Sequence, residues 1–189
     1  MQYLNPTLWR TCRVLAGANR IRLLRQMHDH PGQNIAELAH ALGIGRPYAS
    51  QEMRRIQSRG LLRSASRGTS RVYSPTADPQ VLSAAPLLKA IWAALDSLPA
   101  ARDADMAAIA AGLAHERRIA LARILMQSPQ TPARLNTVLP MAPCSFYLHL
   151  RTLTAAGFVA KQDRMLMFQT PEHPLGYALA KLLRQGLGR

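Results

Sequence analysis

The two halves of the sequence align with each other, and this internal repeat restricts the fold more than any other feature. The clearest matched segments are Leu15-Ala16 with Leu113-Ala114 at an offset of 98 residues, Gly60-Leu61-Leu62 with Gly157-Phe158-Val159 at 97, and Val72-Tyr73 with Met167-Phe168 at 95. Such a repeat indicates one structural unit used twice. We therefore expect two domains of the same fold, over residues 1-98 and 99-189.

The first half has the pattern of a helix-turn-helix. Apolar residues recur at helical spacing, and the predicted helices span residues 6-16, 18-29, 35-42 and 46-59. Asn34 is placed to cap the third helix, and Gly43-Ile44-Gly45 forms a short turn before the fourth, which we name the recognition helix. Pro47 suits the first turn of this helix, and Gly60 suits the left-handed residue that ends it.

A β-hairpin, the wing, is predicted after the recognition helix, over residues 63-74. Its tip is expected at 64-70, where Gly68 can take the positive φ of a tight turn. A last helix follows over 81-95, in which Pro86 is expected to cause a kink or a new start. A helix-turn-helix followed by a hairpin is the element order of a winged helix.

The second half repeats this order of elements. Its predicted helices include 101-114, 115-127, 142-153 and 176-187. Its hairpin is predicted over 158-168, with a tip at 161-164. The offset falls from 97 to 95 across the hairpin, so this connection is expected to be two residues shorter than the first. The predicted fold class is therefore mainly α with small β-hairpin wings, arranged as tandem winged helix-turn-helix domains.

The charge of the chain indicates an anionic partner. Its 24 Lys and Arg face only 10 Asp and Glu, a formal net charge of +14. Such an excess of positive charge favours double-stranded DNA as the partner. The apolar stretches are too short or too interrupted to span a membrane, and the N-terminal residues lack a secretory apolar region, so we expect a cytoplasmic protein without membrane contact.

No cofactor, metal or enzymatic activity is expected. Cys12 and Cys144 are too far apart in sequence for a zinc pattern, and Cys12 lies among apolar residues that suggest a core position. His28-Asp29-His30 is interpreted as a solvated helix end, because neighbours on a helix point in different directions. Neither a glycine-rich phosphate loop nor a recognisable catalytic trio occurs in the sequence.

The recognition helix and the wing carry the candidate DNA contacts. Ala49, Met53 and Ile56 form a buried stripe, so the opposite face of the helix is basic and polar. We assign Arg46, Tyr48 and Gln51 to base edges, and Ser50, Arg54 and Arg55 to phosphates. Arg67 and Arg71 of the wing are expected to reach the DNA backbone or the adjacent minor groove. Residues 46-71 hold seven arginines and one acid, Glu52, a net charge of +6.

The matched segment of the second half, residues 142-167, has a net charge of only +2, from Arg151, Lys161 and Arg164 against Asp163. Its helix would expose Leu148 and His149, and an exposed leucine suits a protein contact better than a base. We therefore favour a dimerisation or packing role for the second domain over a second reading head, with a homodimer joined through terminal helices or second domains. Another interpretation of the start of this helix is that Cys144 is a redox-sensitive thiol, since the N-terminus of a helix favours the thiolate.

Several motifs resemble the winged-helix repressors of the arsenical-resistance-repressor (ArsR-like) family. These are S-x-x-M-x-x-I-x-x-x-G-L-L at 50-62, R-G-T-S-R-V-Y-S at 67-74, and the segment from Ser145 to Val159. The resemblance covers nearly the whole chain as two fused units, whereas family members typically have one unit and dimerise through their first and last helices. It implies a transcriptional regulator, expected to be a repressor, although the family's metal-sensing ligands do not occur at the matching positions.

One alternative remains open at this point. Tandem winged helices also build scaffolds and replication or chromosome-segregation proteins. A scaffold would be expected to have an acidic or neutral surface, so the charge of this chain favours a DNA-binding protein over a scaffold. A replication initiator shares the features of the regulator and stays an alternative. The sequence indicates neither the operator nor an effector.

Overall fold

The computed structural model describes residues 7-68 and 70-186, which are mainly helical with two small antiparallel hairpins. The first half contains α1 (Leu8–Leu15), α2 (Ala18–Asp29), α3 (Ile35–Ala41), α4 (Arg46–Gln57), β1 (Arg63–Arg67), β2 (Ser70–Ser74) and α5 (Ala84–Ser97). After a 3₁₀ helix at Ala100–Arg102, the second half contains α6 (Asp103–Gly112), α7 (Glu116–Gln127), α8 (Pro132–Val138), α9 (Pro143–Ala155), β3 (Val159–Gln162), β4 (Met165–Phe168) and α10 (Pro174–Arg184). Both halves thus have the same order of elements. Within the described ranges, every helix is too short or too polar to cross a membrane.

The predicted helix boundaries are close to the observed ones. Asn34 caps α3 as expected, and a full capping box forms because Glu37 also accepts a hydrogen bond from the Asn34 N–H at 2.7 Å. The recognition helix, α4, ends at Gln57, two residues earlier than predicted, and Gly60 has the expected positive φ of 74°. The first residue of the predicted helix 6-16 and the last of 176-187 lie outside the described residues.

The wing spans residues 63-74 as predicted, but its predicted tip is wrong. The two strands pair from Arg63 opposite Ser74 to Arg67 opposite Ser70, so most of the segment 64-70 is strand. Serine and glycine in this segment favoured a loop, whereas the backbone ladder continues because Gly68, at φ 61°, allows a tight turn.

The second hairpin also differs from its prediction. Its strands are joined by Asp163 and Arg164 alone, and Asp163 takes the positive φ of 53°. The connection therefore has the same length as in the first hairpin. The difference between the hairpins lies in their strands, which have five residues in the first and four in the second.

The last helix of the first half is unbroken from Ala84 to Ser97, so neither the kink nor the new start expected at Pro86 interrupts it. It begins at Ala84 instead of residue 81, which places Pro86 in its first turn. Proline is tolerated there because the N–H groups of a first turn have no acceptor within the helix.

The two halves pack on each other through helices that the repeat makes equivalent. Helix α1 contacts α6, α5 contacts α10, and α6 also contacts α2. The buried apolar residues form one cluster that continues from the first half into the second. Each half therefore covers its first and last helices with those of the other half, within one chain.

An ion pair at the boundary joins the halves. The guanidinium of Arg25 on α2 donates to both carboxylate oxygens of Asp103, at 2.7 and 3.1 Å, and also to the carbonyls of Leu95 and Leu98. Each of the two paired side chains is only 13% exposed. One arginine thus binds the end of α5 and the start of α6 to α2.

One further contact recurs in both halves. Arg20 and its repeat partner Arg118 each donate to two carbonyls at the end of the preceding helix. The acceptors are Arg13 and Val14 for Arg20, and Ala111 and Gly112 for Arg118. All three aligned positions are separated by the same offset of 98 residues, so the sequence repeat coincides with a repeated side-chain geometry.

Candidate nucleic-acid interface

Helix α4 lies with its apolar side against the core. Ala49, Met53 and Ile56 are fully buried, as the spacing predicts. The helix starts directly after the turn at residues 43-45, and Pro47 occupies its first turn. Its opposite side, which carries the candidate DNA contacts, faces solvent.

A cleft of about 450 Å³ separates the start of α3, the recognition helix and the second strand of the wing. Strand β2 is held beside the start of α3 by a bridge between Val72 and Asn34. Four of the predicted contacts, three arginines and one serine, line this cleft together with small and polar residues. The lining residues are Asn34, Ile35, Ala36, Arg46, Pro47, Ser50, Arg54, Ser70 and Arg71. In the described part of the chain, the lining of this cleft contains no acidic residue.

The other two predicted base readers lie outside the cleft. Tyr48 is 41% exposed, and its hydroxyl accepts a hydrogen bond from the side-chain amide of Asn19 on α2, at 3.1 Å. Gln51 is exposed on the same helix. The structure thus places Tyr48 at the side of α4 that faces α2, away from the wing.

Arg55 also lies outside the cleft, and it is paired with Glu52. Glu52 is only 1% exposed and forms ion pairs with Arg55 and with Arg20 of α2. The net charge of +6 predicted for the candidate segment 46-71 includes Glu52, whose burial was not predicted. Its spacing contained the signal, since it follows Ala49 by three residues and precedes Ile56 by four, as members of the buried stripe do.

The two wing arginines point to opposite faces of the hairpin. Arg71 pairs with Ser66 and therefore shares a face with the buried Tyr73, whereas Arg67 pairs with Ser70 on the other face. Both arginines are exposed, but only Arg71 lines the cleft. Arg67 lies at the last position of its strand, next to the turn.

The corresponding surface of the second half is more apolar. In α9, Phe146, Leu150 and Leu153 are buried, while Tyr147 and Leu148 are 62% and 51% exposed. The exposure of Leu148 confirms the prediction. His149 differs from its prediction, because it is half-buried and its ring lies 4.7 Å from that of His115.

The cysteines and histidines form no metal site in the described part of the chain, where no group of three metal-binding side chains occurs. Cys12 is buried as expected, and burial raises the pKa of its thiol to about 12. Cys144 is exposed and free. His28 bonds to Asp29 and Asp96, and these two carboxylates raise its pKa.

Comparison of the chain with family models, curated proteins and solved structures gives no match. A function for this chain must therefore be inferred from its own geometry, charge and sequence motifs.

Proposed function

We propose that this protein is a sequence-specific, DNA-binding transcriptional regulator of the cytoplasm, built from two fused winged-helix units of the ArsR-like kind. The first unit reads DNA with α4 and the wing, and the resemblance favours repression. No catalytic role is included in this proposal.

The observation that carries the proposal is the basic cleft between the recognition helix and the wing. Arg46, Arg54 and Arg71 come from two elements distant in sequence, yet they line one concave surface without an acid among the lining residues. Arginine suits this position because its planar guanidinium pairs with phosphate or guanine through two hydrogen bonds. Arg46, in the first turn of α4, is assigned to a base edge, whereas Arg54 and Arg71 are assigned to phosphates.

The packing of the two halves restricts which surfaces are available for a homodimer. A homodimer through the terminal helices would have to displace the contacts of α1 with α6 and of α5 with α10. We therefore place the contact between two chains, which a palindromic operator requires, on the second unit. A single chain would instead read an asymmetric site.

The test is binding to a duplex selected by the purified protein from a library of random 20-base-pair sequences. Affinity is expected to fall between about 50 and 200 mM salt, with a slope of about −0.9 for each phosphate contacted. Charge reversal at Arg54 and Arg71 is expected to abolish binding. The matched control is charge reversal at Arg151 and Lys161 of the second half, which should leave affinity within about a few-fold. Affinity that does not change with salt would contradict the proposal.

A second candidate function is a tandem winged-helix scaffold or a replication or chromosome-segregation protein. The exposed Tyr147 and Leu148 on α9 favour a protein partner for the second unit. Sequence selection followed by sedimentation separates DNA binding from the scaffold role. A regulator or a replication initiator is expected to form a complex of defined stoichiometry with the selected duplex, whereas a scaffold would select no sequence.

A further inference from the structure

A buried ion pair lies directly beneath the DNA-binding side of α4. The carboxylate of Glu52 is almost completely buried, and the guanidinium of Arg20, which pairs with it, is 15% exposed. The same carboxylate also pairs with Arg55, one turn further along α4. Glu52 therefore links the recognition helix to α2 through Arg20, and it also holds Arg55 on the exposed face of the same helix.

The Arg20 guanidinium is held from three directions. It donates to the carbonyls of Arg13 and Val14 at the end of α1 and to Glu52 on α4. Gly17 leaves the space that this arrangement requires, since a Cβ at this position would lie 2.2 Å from the guanidinium nitrogen Nη2 of Arg20. The corner between α1 and α2 is thus shaped around this arginine.

The second half retains the arginine but lacks the acid. Arg118 donates to the equivalent carbonyls, at 2.8 and 2.9 Å, but the repeat places His149 where the first half has Glu52 and His115 where it has Gly17. In the described ranges of the chain, Arg118 forms no ion pair. Besides its apolar contacts, α9 therefore has a ring contact between His149 and His115 where α4 has a directional pair of charges.

We propose that Glu52 is a positioning residue for DNA binding, which holds α4 through Arg20 in the orientation that places Arg46, Ser50 and Arg54 in the cleft. This inference rests on the proposed function. The pair suits the role because a guanidinium and a carboxylate bind in a defined geometry, which apolar contacts alone do not impose. The second half, which is not assigned to base reading, has lost this constraint.

The experiment compares Glu52→Gln with Arg54→Ala on the selected duplex and on a scrambled duplex of the same composition. Glu52→Gln is expected to lower the ratio of the two affinities roughly tenfold, a loss comparable to one bidentate base contact. The salt slope is not expected to decrease, because the substitution removes no phosphate contact. Arg54→Ala is expected to reduce the slope by about 0.9, because it removes a phosphate contact. A merely structural role of Glu52 would lower both affinities together by reducing the folded fraction.

Helix content from circular dichroism checks the fold of each variant. Should Glu52→Gln unfold because Arg20 is left uncompensated, the double variant Arg20→Met with Glu52→Met removes both charges and takes its place. This double variant is also expected to lose sequence preference. The matched control is His149→Glu, which supplies the missing acid beside Arg118 and should leave the affinity ratio unchanged.

The outcomes separate the two proposals. If the wild-type protein selects no duplex, the proposed function is wrong. If the wild-type protein selects a duplex and a folded Glu52 variant keeps the full affinity ratio, only the positioning role is wrong. A decrease in salt slope for Glu52→Gln equal to that of Arg54→Ala would also overturn the positioning role.

Discussion

At the scale of residues, neighbouring arginines differ in their contacts, because each side chain meets a different set of groups in the fold. Arg54 and Arg55 are adjacent on α4, yet Arg54 lines the cleft and Arg55 is paired with Glu52. An arginine already held by a carboxylate contributes less to the positive surface than one without such a partner. The count of arginines in a segment therefore overestimates the number that are available to bind an anionic partner.

This difference predicts unequal effects of two neighbouring substitutions. Arg54→Ala is expected to reduce the slope of log affinity against log salt by about 0.9. Arg55→Ala should reduce it by clearly less, because Glu52 neutralises that side chain. Fluorescence anisotropy with the selected duplex over a salt series measures both slopes, and equal reductions would show that Arg55 contacts a phosphate as directly as Arg54.

Two glycines with positive φ allow the cost of backbone strain to be separated from the cost of steric overlap with an added Cβ. Gly43 and Gly60 both have positive φ, of 63° and 74°. A Cβ at Gly43 would meet nothing within 4 Å, whereas one at Gly60 would lie 2.9 Å from the Cβ of Val81. Gly43→Ala is expected to cost about 1 kcal/mol of unfolding free energy through backbone strain alone. Gly60→Ala should cost at least about 1 kcal/mol more through overpacking, which urea denaturation of the two variants would measure.

At the scale of elements, equivalent helices of the two halves are attached by different chemistry. Helix α4 is held by the pair of Arg20 and Glu52, whereas α9 places His149 against His115 and near Arg118. Burial, followed by the charges of neighbouring cations, lowers the pKa of both histidines. Besides burial, the pKa of His115 is lowered by Arg117 and Arg118 of α7 and by Arg13 of α1, and it is raised by Glu116. The pKa of His149 is lowered by His115 and then by Arg118 and Arg117.

These shifts predict that acid weakens the second half. A histidine whose pKa is lowered by folding favours the folded state above its ordinary value of about 6.5, and this contribution is lost as the pH falls below that value. His173, buried at the start of α10, acts in the same direction because burial lowers its pKa. Thermal unfolding between about pH 8 and 5 should therefore show a lower midpoint at acidic pH, and His149→Gln should reduce the dependence.

His28 is a control, because its pKa shift and its effect on stability in acid are opposite in sign to those of the other three histidines. Its bonds to Asp29 and Asp96 raise its pKa, so its contribution is complete below about pH 6.5 and is lost as the pH rises through the raised value. His28→Gln should therefore make the acidic loss of stability larger. A decrease in the acidic loss for this variant would contradict the assignment.

At the scale of the whole molecule, one chain contains contacts between equivalent helices that give it an approximate internal symmetry. The contacts of α1 with α6 and of α5 with α10 relate each half to the other, and the buried cluster continues across the boundary. The ion pair of Arg25 and Asp103 reinforces this boundary. The two halves are therefore expected to unfold together.

Cooperative unfolding can be measured because both tryptophans, Trp9 and Trp92, belong to the first half. Urea transitions followed by tryptophan fluorescence and by far-ultraviolet circular dichroism should coincide in the wild-type protein.

Asp103→Asn leaves Arg25 without its charged partner and should lower the free energy of unfolding by about 3 kcal/mol. In this variant the two transitions are expected to separate, and the exposed pair Arg102 and Asp105 offers a matched control through Asp105→Asn, which should change little.

The order of elements could be predicted from the sequence, because the signals that determine it are local. Helical periodicity, the cap at Asn34, the glycine at residue 60 and the apolar stripe of α4 each depend on residues within a few positions of one another. The repeat extended these signals to the second half without further information. The bounds of the wing also followed from such local signals.

The tertiary structure alone decided which side chains share a site. Glu52 and Arg20 are 32 positions apart, and Arg71 reaches the cleft only because strand β2 is bridged to Asn34. The pairing of α1 with α6 and of α5 with α10 likewise joins helices from different halves. Local spacing determines where each element begins and which side of it is apolar, but burial, ion pairing and packing depend on residues that only folding brings together.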